Sequence, residues 1–159
     1  MKLSDLVSER RVVVRMQATT KWEAIEELVS VLRASGEVPE AASSASLEAV
    51  LARERQISTG MEHGIAIPHG AVEGVDRIFG AIGTSPRGIP FDSIDGEPAR
   101  IVVLLLIPAR EFQVHLTALA GIARLFNREG LRAAIVASEN AGEAHRLLVR
   151  EEAADDAGG

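Results

Sequence analysis

Histidine is the residue type through which this chain could do chemistry. Its 159 residues include four histidines but no cysteine or tyrosine, so thiolate ligands, thiol nucleophiles and disulfides are excluded. A neutral imidazole, with an ordinary pKa of about 6.5, can serve at neutral pH as a base, a metal ligand or a nucleophile. Any covalent or acid–base role in this chain therefore falls first to its histidines.

His69 is the strongest candidate. It follows the apolar segment 65–67 within the tripeptide Pro68-His69-Gly70. Because proline has no N–H for a strand ladder, we expect the chain to leave the sheet just before the imidazole. Gly70 has no Cβ, which lets another backbone or a partner come close. The alternative for so short a motif is a histidine in a surface turn.

His115 is the second candidate and lies in the first turn of a predicted helix over residues 111–126. Its spacing places it on the apolar face with Phe112, Leu119 and Ile122 rather than on the hydrated face. A polar group there needs a hydrogen-bond partner. His115 is then either a core-edge histidine bonded to a backbone carbonyl, or a site histidine near the C-terminal end of the preceding strand, where α/β sheets place ligands.

The remaining histidines, His63 and His145, are expected to be solvated. His63 lies in a glycine-flanked loop, and His145 lies between charged residues of the last predicted helix. A zinc site would need three convergent ligands, and the sequence has no HExxH or comparable helical pair, so no metal is expected. A metal hydrolase has only the number of histidines in its favour.

Hydroxyl and guanidinium groups lie shortly before His69. Ser58 and Thr59 follow a predicted helix and could bind an anion, although such residues usually bond to local backbone. Arg53 and Arg55 lie near the end of the same helix, where surface charge is favoured by the helix dipole. Helical periodicity alone does not choose between these two arginines.

The elements that must position these residues follow from the hydrophobic pattern. Residues 101–107 are seven consecutive apolar residues, which predicts a central strand buried on both faces. Thr20 and Glu23 form a capping box that opens a helix, and Gly36 ends it. Further strands are predicted over 11–16, 65–67 and 78–84, a turn-rich segment over 86–98, and helices over 46–55 and after Asn127 and Asn140. This order predicts one layered α/β domain around a mixed sheet.

Length and composition agree with a single soluble domain over residues 1–150. The tail 151–159 is small and acidic, and we expect it to be disordered. The 17 basic and 23 acidic side chains give a formal charge of −6, and only 3% of residues are aromatic, which disfavours nucleic-acid binding. No apolar run is long enough to span a membrane, and the N-terminus lacks a signal-peptide pattern, so we expect a cytoplasmic protein.

Three segments together resemble one family, the fructose/mannitol class of IIA domains of the bacterial phosphoenolpyruvate-dependent phosphotransferase system, which includes the nitrogen-regulatory IIA proteins. The resemblance covers about residues 3–148. Its densest part is LARERQISTGMEHGIAIPHG, followed by GIPFDSIDGEPARIVVLLLIPA and HLTALAGIARLF. Each segment alone would be weak evidence, but their order and spacing are those of the family.

The resemblance implies a phosphohistidine carrier with a mixed sheet of about five strands flanked by helices. The phosphorylated histidine of the family falls on His69, its second active-site histidine on His115 and its active-site arginine on Arg53. Ser58 and Thr59 match its hydroxyl turn, and they and Gly70 are expected to contact the phosphoryl group. No cofactor is implied, because the protein need only position and stabilise charge.

The implied partners are proteins. A histidine phosphocarrier protein would donate the phosphoryl group, and a IIB domain would accept it during fructose- or mannitol-type sugar uptake. The alternative is a nitrogen-regulatory IIA protein, whose phosphorylation state controls binding to regulatory partners. A IIA-like domain without transfer activity is a third interpretation, against which stands the presence of Arg53, His69 and His115.

Overall fold

A computed structural model describes residues 2–110 and 112–158 of the chain. Within these residues the helices are α1 (Leu3–Leu6), α2 (Lys21–Ala34), α3 (Glu40–Gln56), α4 (Phe112–Leu125), α5 (Glu129–Ala137) and α6 (Ala141–Gly158), with a 3-10 turn at Glu9–Arg11. The strands are β1 (Val12–Val13), β2 (Ile65–Ala66), β3 (His69–Val72), β4 (Phe79–Ile89) and β5 (Ala99–Pro108).

Strand β5 is the centre of the sheet. It pairs antiparallel with β4 along one edge and parallel with both β2 and β3 along the other, while β1 pairs parallel with β4. The result is the mixed five-stranded sheet flanked by helices that the sequence predicts. Every side chain from residue 101 to residue 107 is at most 1% exposed, which confirms the expectation of a strand buried on both faces.

Two hydrophobic cores lie on opposite faces of β5, because successive side chains of a strand point to opposite sides. Ile101, Val103, Leu105 and Ile107 pack with α1, α4, α5 and α6. The even-numbered residues 102, 104 and 106 pack with α2 and α3. A sheet covered on both faces by helices excludes water from its backbone hydrogen bonds and fixes which face each neighbouring strand residue meets.

The capping box predicted for α2 is present. The Thr20 hydroxyl accepts from the Glu23 N–H at 3.2 Å, and the Glu23 carboxylate accepts from the Thr20 N–H at 3.2 Å. Gly36, just beyond the helix, has φ of +71°, a conformation that glycine adopts without steric cost. The local sequence is sufficient to predict the start of α2, because the two residues of the capping box lie within one helical turn of each other.

The prediction that the chain leaves the sheet before His69 is wrong. Pro68 interrupts the strand, but His69 begins β3, which pairs with β5 in the register that β2 already set. Ile65 lies opposite Ile101 and His69 opposite Leu105, an offset of 36 residues in both cases. The Pro68 carbonyl accepts from the Leu105 N–H at 3.0 Å, so proline removes one donor without releasing the strand.

Other boundaries also differ from the sequence predictions. Strand β1 is shorter than predicted, since Arg15 has φ of +58°, which ends the extended conformation. Helix α3 begins six residues before residue 46. Its serine- and alanine-rich start has no apolar periodicity that predicts a helix, but it is closely packed in the structure. Strand β4 continues into the turn-rich segment after an irregularity between Thr84 and Ile89. Asn127 does not cap α5, whose N-cap residue is Arg128.

The described residues of the acidic tail, 151–158, are helical rather than disordered in the structure. Helix α6 continues to Gly158, beyond the predicted boundary at residue 150. The Glu152 side chain is 8% exposed and accepts from the backbone N–H groups of Leu3 at 2.7 Å and Ser4 at 2.9 Å. These N–H groups begin α1 and have no partner within that helix, so Glu152 satisfies them from the other end of the chain.

Replacing Glu152 should therefore destabilise the fold. Glu152→Ala leaves two backbone donors without their buried acceptor, which costs about 1–3 kcal/mol of unfolding free energy. Urea unfolding followed by circular dichroism measures the change. Asp156→Ala is the matched control, because Asp156 pairs with Lys2 in an exposed ion pair that contributes little. Equal midpoints for wild type and Glu152→Ala would contradict a structural role for the tail.

Candidate functional site

His69 is positioned by the register of β3. Its partner across the ladder, Leu105, belongs to the core on the α4 side, so the imidazole also points towards α4. The next residue, Gly70, points to the opposite face, towards α3. The His69 residue is only 6% exposed. Another molecule could therefore reach only the small exposed part of this nearly buried residue.

A hydrogen bond to the backbone determines which nitrogen of His69 carries the proton. The Nδ1 atom lies 2.8 Å from the Ile67 carbonyl oxygen. A carbonyl oxygen only accepts hydrogen bonds, so Nδ1 is the protonated nitrogen of the neutral ring and donates to it. The Nε2 atom then keeps its lone pair. This geometry prepares Nε2 to act as a nucleophile.

His115 lies beside His69. The centroids of the two imidazole rings are 4.8 Å apart and the ring planes are inclined by 76°, an edge-to-face arrangement. His115 is half-buried in α4, on the face that the helical spacing predicted. The structure therefore brings together the two histidines that the sequence placed 46 positions apart.

Arg53 approaches the histidine pair from the end of α3. Its Nη1 atom donates to the Ile57 carbonyl at 2.8 Å, which caps the last turn of the helix. Burial is the largest cause of the lowered pKa of His69 and of His115, and the charge of Arg53 lowers each pKa further. Arg55, in contrast, is exposed and pairs with Glu48 at 3.0 Å. Of the two arginines that periodicity left open, Arg53 is thus the one whose charge acts on the histidine pair.

Burial is the main reason why both imidazoles stay neutral. It lowers the pKa of His69 and of His115, since a charged ring is poorly solvated there. His115 and Arg53 lower the pKa of His69 further, and the hydrogen bond with Ile67 acts in the opposite direction. A neutral ring is the form with an available lone pair, so the environment favours the reactive state at neutral pH.

The hydroxyl turn makes bonds within the protein. The Ser58 hydroxyl donates to the Phe91 carbonyl, and the Thr59 hydroxyl donates to the Glu54 carboxylate. A side chain has no room at Gly70, because an added Cβ would lie 2.9 Å from backbone atoms of Ala49 and Val50 in α3. Close packing of β3 on α3 thus requires glycine here. Phosphate contacts from Ser58, Thr59 and Gly70 stay a prediction.

Glu54 is a residue of the site region that the sequence reasoning missed. It is 2% exposed, accepts from the Thr59 N–H at 2.8 Å, and lies 3.5 Å from the Lys21 Nζ atom. Lys21 also pairs with Asp92 at 2.9 Å. Glu54 therefore ties the turn after Arg53 to α2. The signal was present as a spacing of four residues from Ser46 through Val50 to Glu54, which places them on one face of α3.

The remaining histidines lie away from this pair. His63 is exposed, as expected, and has φ of +64°. The expectation that His145 is solvated is wrong, because its Nε2 atom lies 3.0 Å from the Val7 carbonyl and the ring is part-buried against α1. The part of the chain that the structure describes contains no group of three or more side chains suited to hold a metal ion. None of its helices is long and apolar enough to cross a membrane.

Known proteins of two kinds, nitrogen regulatory and sugar-specific, are similar to this chain in sequence. A nitrogen regulatory protein of Bradyrhizobium diazoefficiens is 33% identical over 148 residues, which cover 93% of this chain and 95% of that protein. A fructose-specific EIIA component of the phosphotransferase system of Haloferax volcanii is 34% identical over 121 residues, covering 76% of this chain and 77% of that protein.

The fold also matches that of one chain in a solved complex. The complex of the mannitol enzyme IIA with phosphorylated enzyme IIB from Escherichia coli contains a chain that matches with a TM-score of 0.73 and 21% identity, covering 89% of this chain and 96% of that chain. Residues 5–151 match the sequence profile described as the phosphoenolpyruvate-dependent sugar phosphotransferase system, EIIA 2. The chain belongs to this EIIA 2 family.

Proposed function

We propose that this chain is a phosphohistidine carrier in which Nε2 of His69 receives and returns the phosphoryl group. The observation that carries the proposal is the bond between Nδ1 and the Ile67 carbonyl, which leaves the lone pair on Nε2. The EIIA 2 family supplies the general role of a phosphotransferase component. The geometry of the site supports the choice of His69 and of its Nε2 atom.

The transfer step is a substitution at phosphorus. The Nε2 lone pair attacks the phosphorus atom of a phosphohistidine on the donor, for which we propose a histidine phosphocarrier protein. A new N–P bond forms as the donor N–P bond breaks, and the donor nitrogen keeps the electron pair. Water takes no part in this step. The Nδ1 proton stays on His69 and continues to donate to Ile67 throughout.

The neighbours of His69 can stabilise the charge that arrives. The phosphoryl group brings about two negative charges, and phosphoryl transfer is accelerated mainly by positioning and electrostatic stabilisation. Arg53 carries a guanidinium whose fork of N–H groups suits phosphoryl oxygens. The ring of His115, at 4.8 Å between centroids, lies close enough for an N–H to reach a phosphoryl oxygen. Burial strengthens both interactions, because little water competes.

The surface beside the site suits a protein partner. Ile57 is 71% exposed and its carbonyl is held by Arg53, while Leu116, the neighbour of His115, is 52% exposed. Exposed apolar side chains next to a nearly buried nucleophile favour docking of a protein surface. A IIB domain is the acceptor that we propose, and the mannitol enzyme IIA of the same fold has been solved with its phosphorylated IIB. Such exchange takes place in the cytoplasm, where we place the chain.

A regulatory role is the second candidate. It is supported by the nitrogen regulatory protein of Bradyrhizobium diazoefficiens, which is 33% identical and matches 93% of this chain. In that role the same phosphorylation of His69 would switch the association with a regulatory protein. The two roles share the site and differ in the acceptor.

His69 should be the residue that is phosphorylated. Incubation with phosphoenolpyruvate and the general donor proteins should label wild type with an acid-labile, base-stable phosphoramidate. His69→Gln should take up no label, because it lacks the nucleophilic nitrogen. His63→Gln is the matched control, since His63 is exposed and away from the histidine pair. Full labelling of His69→Gln would overturn the assignment.

Loss of His115 should slow transfer without preventing it. His115→Ala removes one charge-assisted contact worth roughly 1.5–3 kcal/mol, so transfer should fall by about tenfold to a hundredfold. Arg53→Gln should behave similarly, and Arg55→Gln is its control two positions away. Single-turnover transfer from labelled donor, beside thermal unfolding of each variant, measures the effect. Wild-type transfer by a folded His115→Ala would reduce His115 to a structural residue.

The buried, neutral His69 should make stability depend on pH. Its folded pKa lies below the unfolded value of about 6.5, so below that pH the unfolded chain binds more protons and unfolding becomes easier. On acidification from pH 7.5 to 5.5, wild type should lose more unfolding free energy than His69→Gln, by at most about 1.4 kcal/mol per pH unit. Urea unfolding at both pH values measures it. Equal losses would mean that His69 titrates normally.

A further inference from the structure

A second cleft lies away from the histidine pair. It has a volume of about 520 Å³ and is bordered by helix α5, the start of β5 and the segment that precedes β2. Small-molecule sites typically have volumes of about 300–1,000 Å³. Its apolar lining includes Pro86, Ile101 and Val136, and its charged lining includes Arg15, Arg100 and Arg132.

The three arginines give the cleft a positive charge that the protein does not neutralise with ion pairs. Arg15, Arg100 and Arg132 form no ion pair with any described carboxylate, and one N–H of Arg132 donates to the Phe126 carbonyl at 2.7 Å. Glu129 is the acidic residue in the lining, which leaves an excess of positive charge in a chain whose formal charge is −6. Such a concentration of one sign of charge attracts an opposite charge from solution.

The cleft is separate from the candidate phosphoryl site. Ile101 pairs with Ile65 at the beginning of the parallel ladder, whereas His69 pairs with Leu105. Four residues of a parallel strand span about 13 Å, at about 3.3 Å per residue. Gly64 lines the cleft, and its carbonyl accepts from the Arg100 and Ile101 N–H groups at 2.7 and 3.0 Å. A ligand in the cleft would therefore leave the His69 ring uncovered.

We propose that this cleft binds a small organic anion, with its acidic group among Arg15, Arg100 and Arg132 and an apolar body against Ile101 and Val136. Guanidinium groups recognise carboxylate, sulfonate and phosphate oxygens through paired N–H donors. The apolar lining favours a ligand with a hydrocarbon or aromatic part over a bare inorganic ion. This proposal does not depend on phosphorylation of His69.

The test uses 8-anilinonaphthalene-1-sulfonate, a fluorescent probe with an aromatic body and a sulfonate. Wild type should bind it at one saturable site. Arg100→Gln should weaken binding about tenfold, the effect of losing one charge-assisted contact. Ala133→Phe, on an exposed position of α5 in the lining, should block the cleft without changing its charge. N-phenyl-1-naphthylamine, which lacks the sulfonate, should bind at least tenfold more weakly than the probe, since it forms no such contact.

Two control variants separate the cleft from other surfaces. Arg150→Gln removes one exposed arginine of α6 and should leave binding unchanged, as should Leu116→Ser beside the histidine pair. Thermal unfolding of each variant shows that it is folded. The proposal is overturned if wild type shows no saturable site for the probe, or if folded Arg100→Gln and Ala133→Phe bind the probe as wild type does. It is also overturned if Leu116→Ser abolishes binding of the probe, or if the uncharged analogue binds as well as the probe.

Discussion

The parallel pairing of β3 with β5 is the constraint on which the candidate site depends. Because His69 lies opposite Leu105, the alternation of the strand turns its ring towards α4 and turns Gly70 towards α3. A shift of one residue would exchange these directions and force a side chain into the backbone of α3. Pro68 does not disturb this register, since the segments on either side of it follow the same partner strand. The pairing therefore fixes both the direction of the His69 ring and the packing behind it.

Burial of the histidine pair serves reactivity at the expense of access. Desolvation lowers the pKa of His69 and His115, which keeps a lone pair available on Nε2 of His69. The same burial leaves only 6% of the His69 residue exposed. In the proposed transfer, a donor protein whose surface fits the exposed apolar residues nearby would meet both requirements, because water would stay outside while the donor approaches.

Charged side chains in this protein differ in what they are bound to. Glu54 and Glu152 are buried and accept backbone N–H groups, so they hold segments of the chain together. Arg53 caps a helix and faces the histidine pair. The arginines around the α5 cleft have no carboxylate partner among the described residues, although the chain as a whole is acidic. The two buried glutamates therefore stabilise the fold, whereas the arginines of the cleft are the charges that we propose to bind a ligand.

The sequence by itself determined the elements whose causes are local. The capping box of α2, the doubly buried β5, and the choice of His69 and His115 as candidates all rest on residues within a few positions of one another or on a continuous apolar run. It also led to the EIIA 2 family through the order of three motifs, a membership that the match over residues 5–151 shows.

Tertiary structure decided everything that depends on pairing between distant segments. The sequence predicted that the chain leaves the sheet just before His69, but the hydrogen-bonding edge of β5 holds His69 in the sheet. Periodicity could not separate Arg53 from Arg55, whereas the position of α3 directs only Arg53 to the histidines. Residues 151–158 of the acidic tail have no local reason to be helical, but Glu152 anchors this segment by accepting from the first N–H groups of α1. In each case the deciding partner lies far away in sequence, and no local pattern can specify it.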